Sequence, residues 1–207
     1  MGWAGGIRPG GQLLKQDSPD RSGQAVARPD RRRRRWRRVA AAFIVLVVAF
    51  AGLTARLFVW PGTGMPAHVD AIVVLDGPGY RLPTALRLMR AHRASYLAIS
   101  QGTPASRDNT PCPRPIPRVR VICFHPSPPT TRGEVEYAGR LAARYHWHSV
   151  AVVAMAPQET PARIRLSRCY RGRIYAMTSP LRLRSWPYQV GYEWGATINA
   201  LVLQRAC

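Results

Sequence analysis

The hydrophobic pattern of the chain changes character near residue 60. Residues 39–55 form an apolar run of 17 positions without a charge, directly after an arginine-rich stretch at residues 31–38. Extended to Trp60, the run spans 22 positions. As an α-helix it would be about 33 Å long, which is enough to cross the hydrocarbon of a bilayer. The pattern therefore predicts one transmembrane helix over residues 39–60.

Beyond this run, short apolar stretches alternate with segments of helical period. The apolar stretches are typical of strands that are covered on both faces. Strands are predicted at residues 71–75, 96–100, 119–124, 149–154 and 173–176, and helices at residues 81–93, 131–145, 161–170 and within 191–204. The alternation predicts an α/β fold: a Rossmann-like three-layer sandwich with a mostly parallel sheet of about five strands, preceded by one transmembrane helix.

These patterns divide the chain into four parts. Residues 1–38 form a basic tail, residues 39–60 the transmembrane helix, residues 61–68 a linker and residues 69–207 the α/β domain. The first part of the tail holds few bulky apolar side chains, so it cannot bury enough surface to offset its ordering entropy. The tail is therefore predicted to be disordered.

Two other interpretations compete with a membrane anchor. A cleaved signal peptide has a shorter apolar core and a small-residue cleavage site, and no convincing site of that kind follows residue 55. A helix buried in a soluble protein rarely follows seven arginines. An uncleaved anchor fits best. The arginine-rich flank then predicts a single-pass protein of the cell membrane with a cytoplasmic N-terminus and an extracytoplasmic domain.

The net charge of +21 comes from two separate regions. Residues 1–38 carry 11 basic and 3 acidic side chains, and residues 61–207 carry 19 basic and 7 acidic ones. An arginine run by itself is compatible with nucleic-acid binding, but beside an apolar span it favours a role in topology and contact with anionic membrane lipid through residues 31–60. Export of the domain argues against nucleic acid as a partner.

The predicted sheet selects the loops where a ligand would bind. In an open parallel sheet the site lies beyond the carboxyl ends of the strands, near the reversal of strand order. The loops at that edge are residues 76–80, 101–103, 125–131 and 156–159. The first contains Asp76 and Gly77 in a glycine-rich turn that permits close approach of a ligand, although an ordinary strand–helix turn has the same composition. Arg81 follows and could pair with a phosphate or carboxylate.

Thr131 and Glu134 open the strongest predicted helix. Their spacing matches a capping box, in which a Thr hydroxyl and a Glu three residues later satisfy the first backbone N–H groups. Both residues also fall at the predicted ligand edge. The sequence leaves open whether they only cap the helix or also line a site.

No metal site is predicted, and no cofactor is assigned. His146 and His148 resemble a metal-binding pair, but they fall at a helix C-terminus, away from the predicted ligand edge. No carboxylate or cysteine supplies the remaining ligands at a recognisable spacing. The sequence also lacks the phosphate-loop, nucleophile-elbow and HExxH patterns.

Four cysteines, an even number in a domain predicted to be exported, suggest disulfides. Three pairings are possible. We favour Cys112–Cys123, which would close a proline-rich loop onto the third strand, and Cys169–Cys207, which would tie the last helix to the preceding one. Buried free thiols are the alternative.

With these residues the domain resembles the YdcF-like (SanA/ElyC) family, also called domain-of-unknown-function family 218, in its actinobacterial branch. The similar segments are residues 69–77, Arg81 with its helix, and residues 100–102, 129–134, 152–169 and 192–196. The resemblance implies a Rossmann-like domain, often membrane-anchored, that is linked to envelope integrity and peptidoglycan-related processes. It implies a pocket formed by Asp76, Gly77, Arg81, Gly102, Thr131, Glu134 and Arg163.

The chain departs from the family pattern near that pocket. Many members have a His and an Arg where this chain has Gln158 and Pro161, ahead of Ala162 and Arg163. Asn199 stands where the branch is expected to have a basic residue. Gln158 therefore joins the candidate ligand-binding residues, and the changes leave open whether a family activity is retained.

The expected function is the binding of an anionic, envelope-related ligand by the basic exported domain, at the carboxyl edge of the sheet. Such a ligand would be a cell-wall glycan, a lipid-linked molecule or a nucleotide-like one. A non-catalytic scaffold or regulator of an envelope complex is the alternative, and the missing His favours it. The sequence does not decide whether the protein is an enzyme.

Overall fold

The structure of the chain is a computed structural model that describes residues 31–77, 80–102 and 112–207. The predicted disorder of residues 1–30 lies outside the described residues, as do Pro78 and Gly79 of the first predicted loop and Thr103 of the second. The chain divides into two compact units, residues 1–43 and residues 44–207.

A long apolar helix precedes the α/β fold. Helix α1 (Arg31–Thr54) continues as a π-helix at Ala55–Val59, so that the helical segment has 29 residues. No side chain of α1 is buried, and the segment is long and apolar enough to cross a membrane by length and composition. It begins before the predicted residue 39 because arginine is a good helix former, and the arginine-rich flank joins the helix. Within the described residues, the structure thus contains one candidate membrane span, near the N-terminus.

Five parallel strands form the sheet in the described part of the chain. They are β1 (Val69–Val74), β2 (Ala94–Ser100), β3 (Arg120–Phe124), β4 (Ser149–Met155) and β5 (Arg173–Ser179). Their order is β3-β2-β1-β4-β5, and each neighbouring pair is parallel. The order reverses between β1 and β4, as in the Rossmann fold. The predicted fold class is confirmed.

The helices of the domain connect and cover these strands. They are α2 (Arg81–Arg90), α3 (Thr131–Arg144), α4 (Ala156–Cys169) and α5 (Trp186–Val202). Helices α4 and α5 both begin earlier than the sequence predicts. Each has a proline of its own in the first turn, where the missing N–H costs nothing. Pro161, taken from the sequence as a helix start, instead lies inside α4.

Apolar side chains bury both faces of the sheet. On one face, α2 packs Ala85 and Met89 against β1, β2 and β4. On the other face, α3 and α4 pack residues such as Val135 and Leu166 against the same strands. Helix α5 packs against α4. The result is a three-layer sandwich with one further helix outside it.

The segment between the apolar helix and the sheet is tied to the domain. Gly64 N–H donates to the carbonyl of Ala176 in the edge strand β5 at 2.8 Å. Arg93 Nη2 donates to the carbonyl of Pro66 at 2.7 Å. The segment at residues 61–68, predicted as a linker, therefore follows a defined path along the domain.

The end of the apolar helix also contacts the domain, through α5. The ring of Trp194 stacks on Phe50 with centroids 5.4 Å apart and meets Phe58 edge-on at 5.1 Å. Trp194 Nε1 donates to the hydroxyl of Thr54 at 3.2 Å. Because Phe58 is fully buried, this end of the helix is part of the domain's packing.

Both predicted disulfides are present. Cys112–Cys123 joins the segment before β3 to β3 itself, with Cα atoms 6.0 Å apart. Cys169–Cys207 joins the end of α4 to the C-terminal residue, with Cα atoms 5.0 Å apart. The second bond fastens the chain beyond α5 to the sandwich.

We expect Gly133→Ala to lower the free energy of unfolding by about 1–3 kcal/mol. A Cβ at Gly133 would overlap the carbonyl of Pro128 and lie 2.9 Å from its nitrogen, and backbone atoms cannot rotate away as a side chain can. The measurement is the Tm of the full chain, followed by tryptophan fluorescence. Gly195→Ala adds the same methyl group to a helix where no atom lies within 4 Å, so its Tm should stay the same or rise. Equal Tm values for the two variants would contradict this contact.

Candidate functional site

A cavity of about 320 Å³ lies where the strand order reverses, at the carboxyl ends of β1 and β4. Ligand pockets in proteins begin at about this volume. The cavity is lined by Asp76, Gly77, Arg81, Gly102, Pro126, Pro129, Thr130, Thr131, Glu134, Met155, Gln158, Tyr188, Gln189, Tyr192 and Glu193. These residues come from the ends of the strands, the first turns of α2, α3 and α4, and one side of α5.

The cavity brings together most of the residues that the sequence singles out. Asp76, Gly77, Arg81, Gly102, Thr131, Glu134 and Gln158 all line it. Arg163 does not, and its predicted place in the pocket is a correction. Its guanidinium donates to Glu159 Oε1 at 2.6 Å and to the carbonyl of Gly62 at 2.7 Å. Because α4 begins at Ala156, Arg163 lies two turns down the helix from the cavity.

Arg81 is the largest polar side chain in the cavity wall, and only 1% of it is exposed. Its guanidinium donates to the carbonyl of Leu75 at 2.8 Å and to the carbonyl of Asp76. Gly77 makes this possible, because it has φ +121 and a Cβ there would lie 2.8 Å from Arg81 Nη2. Arg81 therefore holds the turn at the end of β1 and brings a positive charge into the wall.

Glu134 connects α3 to the same turn. Its Oε1 accepts a hydrogen bond from the Asp76 N–H at 2.5 Å, and the side chain is 3% exposed. Burial raises the pKa of Glu134 to about 7, although the bond from Asp76, the Ser100 hydroxyl and the charge of Arg81 oppose the rise. Glu134 is therefore part of the site rather than only part of a cap.

The predicted capping box is wrong by one residue. The N-cap of α3 is Thr130, whose hydroxyl accepts from the Gly133 N–H at 3.4 Å. Thr131 is the first helical residue, and its hydroxyl accepts from Gln158 Nε2 at 3.0 Å. Because Glu134 bonds to Asp76, it does not return to the cap. Two adjacent threonines made the boundary ambiguous in the sequence.

Glu193 is a site residue that the sequence reasoning missed. It comes from α5, is 1% exposed and lines the cavity. Burial raises the pKa of Glu193 to about 7; the charges of Arg165 and Arg81 lower it, and Glu134 raises it further. One signal was available, because Glu193 is the single charged residue in the otherwise uncharged α5.

Three buried acceptor oxygens in the cavity wall have no hydrogen-bond partner within the described residues. They are Asp76 Oδ1, Gln158 Oε1 and Glu193 Oε2. Buried polar atoms are nearly always paired, so unpaired acceptors in a cavity indicate a ligand or water that donates hydrogen bonds to them. Carboxyl groups with a pKa near 7 can, in addition, exchange protons with a bound hydroxyl at neutral pH.

The histidine pair lies at the other edge of the sheet. His146 and His148 directly precede β4, whose carboxyl end forms the cavity. The N–H of His148 donates to Asp70 Oδ2 at 2.8 Å. Among residues 31–77, 80–102 and 112–207, no cluster of three or more His, Cys, Asp or Glu side chains is arranged to hold a metal ion.

The stability of the domain should fall through Glu134 as the pH rises from about 5 to about 8. Because its folded pKa of about 7 lies above its ordinary value of 4.5, the folded chain binds more protons than the unfolded chain between these values. The stabilisation is complete below the ordinary value and is lost as the pH passes the folded one. Glu134→Gln keeps an acceptor for the Asp76 N–H but cannot ionise, so its Tm should change less between the two pH values.

The matched control for this pH experiment is Glu136→Gln, which removes a more exposed carboxylate from the same helix. It should retain the wild-type difference in Tm between about pH 5 and about pH 8. A Glu134→Gln protein with the full wild-type difference would show that Glu134 does not titrate in this range.

Comparison with known proteins gives no independent evidence on the function of this site. No protein-family model matches the chain, no curated protein matches it significantly, and no solved structure does so either. The resemblance to the YdcF-like family therefore stays a prediction from the sequence. The parallel sheet, the reversal of strand order and the polar cavity beside it are properties of the structure itself.

Proposed function

We propose that the α/β domain binds a small ligand with hydroxyl groups and an anionic group, in the cavity at the carboxyl edge of the sheet. We further propose that the protein is a single-pass membrane protein, that the domain is extracytoplasmic and that the ligand belongs to the cell envelope. Members of the YdcF-like family, which the sequence resembles, are linked to the same compartment.

Unpaired acceptor oxygens are the main support for the proposal that the ligand carries hydroxyl groups. Asp76 Oδ1, Gln158 Oε1 and Glu193 Oε2 belong to residues that line one cavity, and they lack donors within the described residues. An unsatisfied buried acceptor costs about 1–3 kcal/mol, so a ligand that supplies several donors recovers that cost. Hydroxyl groups at fixed spacing, as on a sugar ring, suit three separate acceptors.

The positions of three helix N-termini support the proposal that the ligand carries an anionic group. α2, α3 and α4 all begin at this edge of the sheet, and the N-terminus of a helix favours negative charge. Arg81 adds a positive charge to the wall. Residues 61–207 carry 19 basic against 7 acidic side chains, so the domain as a whole attracts anions.

The proposed compartment is supported by the N-terminal segment and by the disulfides. The candidate span begins with an arginine-rich flank, and such flanks stay in the cytoplasm. Disulfides persist mainly in oxidising compartments, and the domain contains Cys112–Cys123 and Cys169–Cys207. Both observations favour an exported domain.

A scaffold or regulator without catalytic activity remains the second candidate. The observation that favours it concerns Gln158, which occupies the position where the family resemblance implies a histidine. The amide of Gln158 donates a hydrogen bond to Thr131, and an amide cannot transfer protons as a histidine can. This candidate predicts that ligands do not bind in the cavity, and the binding experiment therefore separates the two functions.

We expect Gln158→Leu to weaken binding of a sugar phosphate about fivefold, because it removes one acceptor from the ligand. The probes are N-acetylglucosamine 1-phosphate, neutral N-acetylglucosamine and inorganic phosphate, measured by calorimetry on the full chain in neutral detergent. The sugar phosphate should bind most tightly. Ser167→Leu, which places the same side chain at an exposed site of α4, should bind like wild type.

Two results would contradict the proposed ligand chemistry. One is the absence of binding by both sugar probes, which would favour the scaffold. The other is equal affinity of Gln158→Leu and wild type for the sugar phosphate, which would place the sugar outside this cavity.

The topology predicts opposite behaviour for two reporters fused after Cys207. Alkaline phosphatase, which is active only when exported, should be active there, and a fluorescent protein that matures only in the cytoplasm should stay dark. Both results follow from retention of the arginine-rich flank in the cytoplasm. The same reporters placed before Met1 should give the reverse pattern. Cytoplasmic fluorescence from the fusion after Cys207 would overturn the proposed compartment.

A further inference from the structure

A second cavity, of about 460 Å³, lies beside the first. It is formed by the first turn of α3, one side of α4 and the side of α5 that follows Tyr192. It is lined by Thr130, Thr131, Arg132, Arg165, Gly191, Tyr192, Gly195, Ala196, Asn199 and Gln204. The two cavities share Thr130, Thr131 and Tyr192.

Arg165 is the feature that sets this cavity apart. Only 8% of the residue is exposed, and its Nη2 donates to the carbonyl of Ala196 at 2.9 Å and to Gln204 Oε1 at 3.5 Å. Its Nε and Nη1 are buried and have no hydrogen-bond partner in the described part of the chain. Arginine cannot shed its proton in a protein, so these two donors stay charged and require an acceptor.

The neighbouring side chains do not supply that acceptor. Burial lowers the pKa of Arg165, and the negative charge of Glu193 opposes this change. No hydrogen bond or ion pair joins Glu193 to Arg165 within the described residues, and Glu193 Oε2 is itself unpaired. Arg165 thus lines the cavity with a buried positive charge, and two of its donor atoms, Nε and Nη1, have no partner within the described residues.

Further positive charge surrounds this cavity. Arg132 lines it, with Nε paired to Glu136 Oε1 at 2.5 Å, and Arg168 lies one turn from Arg165 on α4. The positive charges of Arg168 and Arg132 both lower the pKa of Arg165. The hydroxyls of Thr130 and Thr131 lie at the N-terminus of α3, which adds a favourable dipole for an anion.

Two glycines of α5 leave the second cavity open on that side. Gly191 and Gly195 lie about one turn apart along the cavity, and a Cβ built on either would meet no atom within 4 Å. Glycine inside a helix is unfavourable by about 1 kcal/mol relative to alanine. Packing does not require these two glycines, and their effect is to keep the cavity free of side chains.

From these observations we propose that the second cavity is a binding site for a phosphate group, held by the free N–H groups of Arg165 and by the polar groups at the start of α3. A tetrahedral anion with several oxygens can accept from donors in different directions, as the separate positions of Arg165, Thr130 and Arg132 require. The site does not depend on what the first cavity binds. The phosphate belongs either to a soluble molecule or to a lipid headgroup.

The first test uses inorganic phosphate and the full chain in nanodiscs of neutral phosphatidylcholine. Wild type should bind phosphate with a dissociation constant of about 1 mM or tighter by calorimetry. Gly195→Leu adds an apolar side chain at a lining position where a Cβ would meet no atom within 4 Å, and Asn199→Asp places a carboxylate at an amide that lines the cavity. Each should weaken phosphate binding at least about tenfold. Because leucine is a better helix former than glycine, Gly195→Leu should keep the wild-type Tm.

The matched control is Arg90→Met, which removes one positive charge from the exposed end of α2 and should leave phosphate binding within about twofold of wild type. Asp76→Ala, at a residue that lines the first cavity and not the second, should also leave phosphate binding in the second cavity unchanged, so that failure of one site is distinguishable from failure of the other. Unchanged phosphate binding by both Gly195→Leu and Asn199→Asp would overturn the proposal.

The second test separates the two sources of phosphate. The full chain is reconstituted with phosphatidylcholine and phosphatidic acid, released, and weighed by native mass spectrometry. Retention of phosphatidic acid by wild type and Arg90→Met, but not by Gly195→Leu, would support the proposal with a lipid headgroup as the source. Binding of inorganic phosphate alone would support it with a soluble source. Wild-type protein that binds neither probe would overturn it.

Discussion

Arg81 has almost no contact with water, and its guanidinium cannot be neutralised, so the surrounding backbone must satisfy it. The carbonyls of Leu75 and Asp76 do so at the end of β1. Gly77 leaves the room that the guanidinium needs, and Glu134 holds the other side of the same turn through the Asp76 N–H. Because a buried charge that loses its partners is very costly, this arrangement fixes the strand end, the starts of two helices and the wall of the first cavity together.

Charges of alternating sign continue from this turn across the domain. Arg81 lowers the pKa of both Glu134 and Glu193, and Glu193 in turn supports the charge of Arg165. Glu193 thus lines the first cavity, and its charge also acts on Arg165 in the second. Its helix, α5, also carries Trp194, which packs against the end of the apolar helix through Phe58. One helix therefore connects the candidate membrane span with both cavities.

The sequence was sufficient for the architecture, because that depends on local and periodic signals. Short apolar runs alternating with helical periods gave the five strands, and the rule for parallel sheets placed the loop after β1 and the start of α3 at one edge. Asp76, Arg81 and Glu134 were found for this reason. The positions of the cysteines relative to predicted elements favoured Cys112–Cys123 and Cys169–Cys207 among three possible pairings, and the structure contains this pair of disulfides. The apolar helix was evident from length and composition alone.

Only the tertiary structure decided the surroundings of the side chains that depend on the exact helix boundaries and on the packing of α5. Because α4 starts at Ala156, Arg163 turns away from the cavity and pairs with Glu159. Glu193 enters the site because α5 packs across α4, and no local pattern predicts which face of a helix such a late element will cover. The same packing leaves Arg165 buried, and its Nε and Nη1 have no partner within the described residues. Periodicity determines which side chains share a face, whereas burial and hydrogen bonding depend on contacts between residues far apart in the chain.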